Sequence, residues 1–292
     1  MKCYIRKTKT IENIKDQKSL IFLYKTIPGR IILKIITRPI ISKLTGIILN
    51  SKISKLYINS FIKNNNINMD DYEKEKYKSF NDFFTRKVNK SKRNHKSNKN
   101  ELISPCDSKI TVHKIDEKLT INVKKSKYSI NNLVKEEVVK DYKGGICLVL
   151  RLCVDDYHRY HAFDNYEVIT NKKMKGLLHT VNPISYENYQ VFTENGREVS
   201  LLKTENFKEV YQIEVGALNI GKIHNNNKKT KYKKYDERGY FSFGGSTIIL
   251  LFQKDAIKLE KDIENYSKQN IEVKVEYGDI IGKTKWKKIK EI

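Results

Sequence analysis

From Asp236 to Phe252 the chain reads Asp-Glu-Arg-Gly-Tyr-Phe-Ser-Phe-Gly-Gly-Ser-Thr-Ile-Ile-Leu-Leu-Phe, so two glycines and Ser246 stand at the mouth of an apolar strand. A strand interior seldom accepts paired glycines, because they cost backbone entropy and pack nothing. Gly244 and Gly245 therefore point to close backbone approach or to unusual chemistry at the Gly245–Ser246 bond. Two other segments hold partners for such chemistry. They are Ser104-Pro105-Cys106-Asp107 and Tyr157-His158-Arg159-Tyr160-His161.

The patterning around this feature predicts an α+β protein, an N-terminal helical segment followed by a mainly β catalytic body. Residues 11–65 read as mainly helical, punctuated by Pro28-Gly29 and Pro39. Tyr77–Arg86 reads as a short aromatic helix with Ser79 or Asn81 as its cap. Lys87–Asn100, almost wholly polar and basic, reads as an exposed loop. From Leu102 onward the pattern is short β-like runs: Ile110–His113, Leu119–Val123, Ile146–Val154, Glu167–Thr170, Val210–Val215, Ser246–Phe252 and Ile271–Tyr277. The expected division is 1–76, a helical region suited to a membrane interface, and 77–292, the catalytic body.

Charge narrows the partners only in part. The chain of 292 residues carries 58 basic and 34 acidic side chains, a net +24, which favours polyanionic surfaces such as nucleic acid or anionic lipid. Lys, Asn and Ile run high throughout, so charge alone does not choose between them. Cys3, Cys106, Cys147 and Cys153 form no Cys-x-x-Cys pair, which suits reduced thiols, with Cys106 a buried structural one. No secretory signal is visible, and no segment reads as a membrane span. The best candidate, Ile31–Leu49, is broken by Lys34, Arg38, Pro39 and Lys43, whereas a span needs about 20 mostly apolar residues. Its alternation of isoleucines and cations suits helices lying in a membrane interface, or a hairpin packed on the protein's own core.

A serine placed directly after glycine can turn on its own backbone. If the bond is strained, Oγ attacks the Gly245 carbonyl carbon and converts the amide to an ester. Serine is a weak nucleophile at neutral pH, so a base is required, usually an imidazole oriented by a carboxylate. Asp107, His161 and Ser246 can supply that triad. β-Elimination of the ester, then tautomerisation and hydrolysis, leaves an N-terminal pyruvoyl group. Such a ketone takes up a substrate amine as a Schiff base and accepts the electrons released with carbon dioxide.

Several separated segments, in order, resemble the phosphatidylserine decarboxylase family. They are Phe80–Arg86 (Phe-x-x-Phe-Phe-x-Arg), Ser104-Pro105-Cys106-Asp107, Tyr157-His158-Arg159-Tyr160-His161, Val215–Ile223, Glu237-x-Gly-x-Phe-x-Phe-Gly-Gly-Ser-Thr and Gly278-Asp279-Ile280-Ile281-Gly282. The likeness spans about residues 77 to 284. Ser108 stands where the family usually has glycine, and Phe163 and Tyr166 stand where proline and glycine are common. These departures touch turn geometry, not the reacting groups.

The resemblance implies that Asp107 orients His161, that His161 activates Ser246, and that the chain breaks between Gly245 and Ser246. The large chain would be 1–245 and the small, pyruvoyl-bearing chain 246–292, held together as a heterodimer with room for a higher homo-oligomer. His158 is implied in substrate handling and in protonating the carbanion after carbon dioxide leaves. The implied substrate is phosphatidylserine and the product phosphatidylethanolamine. The implied location is peripheral, on the cytoplasmic face of the cell membrane, on an anionic surface. No metal and no nucleic acid are expected. Arg86 and Arg159 are candidates for the lipid phosphate, and His224 for a pocket. Two rivals stand beside this reading: a serine hydrolase that keeps Ser246 intact, though it lacks the Gly-x-Ser-x-Gly elbow, and a basic nucleic-acid-binding protein.

Overall fold

Alternation along one strand decides the centre of the molecule. Ile248, Leu250 and Phe252 enter one buried cluster, while Ile249 and Leu251 enter another. Side chains alternate across a strand, so a run that is apolar at every position must be covered on both faces. The structure, a computed structural model, describes residues 1–285 other than 139, 220, 221 and 227. Its main sheet holds Lys2–Ile5 (β1), Thr10–Asn13 (β2), Ser108–Lys114 (β3), Ile146–Leu152 (β4), Tyr166–Met174 (β5), Arg197–Thr204 (β6), Glu209–Asn219 (β7), Lys231–Tyr232 (β8), Gly244–Phe252 (β9) and Glu272–Val275 (β10). The spatial order is β8-β5-β6-β7-β9-β4-β3-β10-β1-β2, with β9 between β7 and β4. All neighbours are antiparallel except β1 and β10. A small sheet of Ile223–Asn225, Glu237–Phe241 and Arg159–His161 carries the histidine-rich segment.

The molecule is a mixed α+β protein. It differs from the expected order at its start, because β1 and β2 form a hairpin and β1 pairs with β10. A region that is helical throughout 1–76 is therefore not what forms. The helices of the first 84 residues are Lys18–Lys25 (α1), Ile27–Ile36 (α2), Pro39–Leu49 (α3), Ile58–Asn64 (α4) and Phe80–Phe84 (α5), and Ile130–Val134, Val191–Glu194 and Lys261–Lys268 are helical further along. Pro28 and Pro39 sit in the first turns of α2 and α3, where a missing N–H costs nothing. The Thr26 hydroxyl caps α2 by accepting from the Gly29 N–H at 3.1 Å. Small residues face inward on α3, where Ser42 and Gly46 are buried and the helix packs on β7. Leu33 of α2 is buried as well, but most of the isoleucines of α2 and α3 face outward. Ile27, Ile31 and Ile35 form one exposed stripe and Ile40, Leu44, Ile47 and Ile48 another.

Helix α5 starts at Ser79, whose Oγ accepts from the Asp82 N–H at 3.1 Å, so Ser79 is the cap. Asn81 does something else. Its Oδ1 accepts the Phe243 N–H at 3.0 Å, and the Phe243 ring packs edge-on against Phe80 and Phe84 at 5.1 and 4.9 Å. The helix thus clamps the residue that precedes Gly244-Gly245-Ser246. Segment 87–100 is not simply an exposed loop, since Val88 is buried and the Arg93 side chain is drawn inside.

Candidate functional site

Ser246 is fully buried on β9, on the same face as Ile248, and opposite Gly216 of β7 and Leu152 of β4. The pairing of β9 with β7 slips beside it. Ser246 faces Gly216 and Gly244 faces Asn219, so β7 carries one extra residue there. Bulges of this kind bend the strand and re-aim side chains. Gly244 has φ +138°, a conformation that side chains disfavour. Gly245 is held by close packing, for a Cβ there would lie 3.3 Å from Val181 Cγ2. The two glycines therefore have separate reasons, one torsional and one steric. Both belong to one continuous strand.

The group facing Ser246 Oγ is His158, whose Nδ1 lies 3.5 Å away, at the long limit of a hydrogen bond. His158 Nε2 is 2.9 Å from the Cys153 carbonyl oxygen. A carbonyl only accepts, so Nε2 carries the proton and Nδ1 presents a lone pair to the serine. The Cys153–Asp156 turn fixes that carbonyl, the Cys153 N–H donating to Asp156 Oδ2 at 2.7 Å. Phe84 covers the ring at 4.1 Å. Burial, with the Arg86 guanidinium nearby, holds the His158 pKa down to about 3, so the imidazole is neutral. Asp156 and the Cys153 carbonyl were missed in the sequence. The only hint was that Asp156 lies two residues before His158.

Asp107 and His161 are brought together around Tyr277, but among the described residues no hydrogen bond joins them to each other or to Ser246. Asp107 Oδ2 pairs with Arg93 Nη2 at 2.9 Å, and Oδ1 accepts the Tyr277 N–H at 2.7 Å. Burial pushes the Asp107 carboxyl upward against the opposing pull of Arg93. The His161 N–H donates to the Pro105 carbonyl at 2.9 Å, and its ring stacks on Tyr277 at 3.8 Å. His161 Nδ1 is buried without a partner among the described residues, and burial also lowers this histidine's pKa to about 3. His158 and His161 sit three apart in an extended segment, which aims them at different neighbours.

The remaining candidates are accounted for by their partners. Arg86 donates to Tyr72 Oη at 3.1 Å and to the Asp155 carbonyl at 3.3 Å, under the faces of Tyr72 and Phe83. Arg159 is bound to the Thr85 carbonyl and to Glu237, both at 2.7 Å. The four cysteines are free thiols, and Cys106 is wholly buried, which raises its pKa. In the Val215–Ile223 motif, Ile220 and Gly221 lie outside the described residues.

Residues 80–283 match the family model described as phosphatidylserine decarboxylase. The chain is 50% identical over 265 residues to phosphatidylserine decarboxylase proenzyme 2 of Clostridium acetobutylicum, covering 90% of this chain and 91% of the relative. It is 41% identical over 288 residues to the phosphatidylserine decarboxylase proenzyme of Clostridium beijerinckii, covering 96% and 97%. Another such proenzyme, from Clostridium tetani, is 41% identical over 293 residues, with 97% and 98% covered. The chain belongs to the phosphatidylserine decarboxylase family, and it is an enzyme of the lyase class.

Proposed function

We propose that this chain is a proenzyme that severs itself between Gly245 and Ser246 and then acts on phosphatidylserine at a bilayer surface. Family membership carries the overall reaction: phosphatidylserine loses carbon dioxide and becomes phosphatidylethanolamine. A pyruvoyl group made from an internal serine supplies the electron sink for that step. In our reading that serine is Ser246. The observation behind the assignment is a buried Oγ facing an uncharged imidazole nitrogen 3.5 Å away, one residue past a constrained glycine pair.

The protein's own residues act as follows. An imidazole takes the Ser246 hydroxyl proton while Oγ bonds to the Gly245 carbonyl carbon and the Gly245–Ser246 C–N bond breaks. The peptide becomes an ester with a free amine on residue 246. Loss of the Cα proton of residue 246 expels the Gly245 carboxylate, and water then releases ammonia, leaving a keto group on residue 246. Residues 1–245 and 246–292 become the large and small chains of a heterodimer. In the second stage we assign to His158 the return of a proton to the substrate carbon.

Two assignments of the cleaving base remain to be separated. The motif reading gives the step to an Asp107–His161 relay, which requires the His161 ring to leave Tyr277. The contact between His158 and Ser246 favours His158 as the base of the uncut chain. Denaturing gels of Ser246→Ala, His158→Ala and His161→Ala decide between them. Ser246→Ala is expected to stay full-length, and whichever histidine variant also stays full-length identifies the base. A wild-type chain that forms phosphatidylethanolamine while unbroken, with an unmodified Ser246, would overturn the proposal.

The membrane reading rests on what the helices leave uncovered. Among the described residues, the exposed large apolar side chains other than Ile11 and Ile169 all lie between Ile21 and Tyr57. Arg30, Lys34, Arg38, Lys43, Lys52 and Lys55 are exposed in the same region. No helix among the described residues is long and apolar enough to cross a membrane. Apolar area with interspersed cations suits a peripheral helix lying in an anionic interface, each cation adding about 1 kcal/mol. We assign this surface to the cytoplasmic face of the cell membrane.

A further inference from the structure

The lipid headgroup carries a phosphodiester, and neither arginine singled out in the sequence is available to hold it, as both are bound to backbone carbonyls and side chains within the fold. A cavity of about 840 Å³ opens between α3, α5 and the strands Ile223–Asn225 and Glu237–Phe241. This lies within the roughly 300–1,000 Å³ usual for small-ligand sites. One wall includes Ile47, part of the outward isoleucine stripe of α3. The opposite wall includes Ser242, three residues before Gly245. The cavity therefore runs from the apolar helical face to the segment carrying the scissile bond.

Its charge is one-sided. Lys43, Lys78 and Lys222 line it against a single carboxylate, Asp82. Asp82 Oδ2 already accepts the Lys78 N–H at 2.8 Å. None of the three ammonium groups is ion-paired among the described residues. His224 stands among them, its Nε2 held 2.8 Å from Ser242 Oγ and its ring stacked on Tyr240 at 4.5 Å. Burial and Lys222 lower its pKa to about 4, so it supplies a neutral polar wall, not a further charge.

We propose that Lys43 and Lys222, which line this cavity from different elements, form the phosphodiester subsite that seats the headgroup. This rests on the phosphatidylserine reading and deepens it. The phosphate of such a lipid hangs one ester linkage from the serine carbons and one from the glycerol. A cationic site between the scissile segment and an apolar surface meets both ends. Lys43 comes from α3 and Lys222 from the strand region beside Ser242, so the subsite also couples the membrane-facing helix to the catalytic body.

The test needs no bilayer, which removes general attraction to anionic lipid. Calorimetric titration of the mature protein would use glycerophosphoethanolamine, ethanolamine and inorganic phosphate as probes. Lys43→Gln and Lys222→Gln should each weaken glycerophosphoethanolamine binding about tenfold, as loss of a charge-assisted contact does. Ethanolamine binding and the extent of self-cleavage should not change, and Lys→Arg at either position should restore affinity. For monomeric dihexanoyl phosphatidylserine, the same variants should raise KM with kcat unchanged. Unaltered glycerophosphoethanolamine binding, equal weakening of ethanolamine, or inorganic phosphate binding as tightly as the phosphodiester would each overturn the subsite. A wild-type protein that decarboxylates no phosphatidylserine would instead refute the underlying function.

Discussion

Burial and the Arg86 guanidinium hold the His158 imidazole at a pKa of about 3, against an ordinary value of 6.5. Between those values the folded chain binds fewer protons than the unfolded one, so stability is complete above pH 6.5 and falls as the pH drops toward 3. The slope from one such group approaches 1.4 kcal/mol per unit, an order-of-magnitude figure. His161 adds in the same direction. His158→Phe should therefore make urea midpoints at pH 7 and pH 5 more alike than in the wild type; an undiminished difference would exclude this histidine as a source. The same neutrality means that His158 stays competent as a base in mild acid, so the self-cleavage rate should be nearly level from pH 7.5 to 5.5. The candidate groups were legible in the sequence, because Ser246, Asp107 and the two histidines lie in short, ordered motifs. Their partners were not. Which nitrogen of His158 carries the proton depends on the Cys153 carbonyl, and the counter-ion of Asp107 is Arg93, hidden in a segment that reads as solvent-exposed. Backbone acceptors and long-range ion pairs leave no local trace.

At the scale of elements, α5 and the bulged junction of β7 and β9 position the Gly245–Ser246 bond. Replacing Ser79 by Ala removes the cap of a five-residue helix and should cost about 1 kcal/mol of stability. It should also loosen the Asn81–Phe243 clamp and slow cleavage in a gel time course. Gly244→Ala forces a side chain into φ +138° and is expected to slow cleavage markedly, although residue 244 is not at the broken bond. Cleavage as fast as wild type in Gly244→Ala would show that the strain plays no part. The strands around this junction were readable because their apolar runs are local and nearly continuous, as in Ile146–Leu152 and Ser246–Phe252. Strand β6 was not. Arg197 and Glu198 are buried polar residues there, and Arg197 is held by the carbonyls of Leu133 and Thr193. Likewise β1 is four residues long and owes its place to β10, far along the chain. Such pairing carries no periodic signal of its own.

At the scale of the molecule, the outward isoleucines make a prediction that leaves the fold intact. Deleting residues 1–50 would strip β1 from β10 and confuse docking with unfolding. Ile31→Glu, Ile35→Glu and Ile47→Glu combined change only exposed positions. That variant should self-cleave normally yet sediment far less with anionic vesicles, and unchanged sedimentation would remove the membrane role of this surface. The mixed class and the order of motifs were visible from pattern alone. That α3 turns its small residues inward was not, because the pattern suits either orientation.

The path of the segment after residue 245 has a further consequence. Residues 246–292 supply two rows of the ten-row sheet, β9 gripped by β7 and β4, and β10 gripped by β3 and β1. All four gripping rows lie on the other side of the proposed cut. A nick at this point leaves the two pieces dovetailed, and they can part only if the whole sheet comes open. The end that such a nick makes would therefore be delivered in place, rigid from birth, with nothing left to dock.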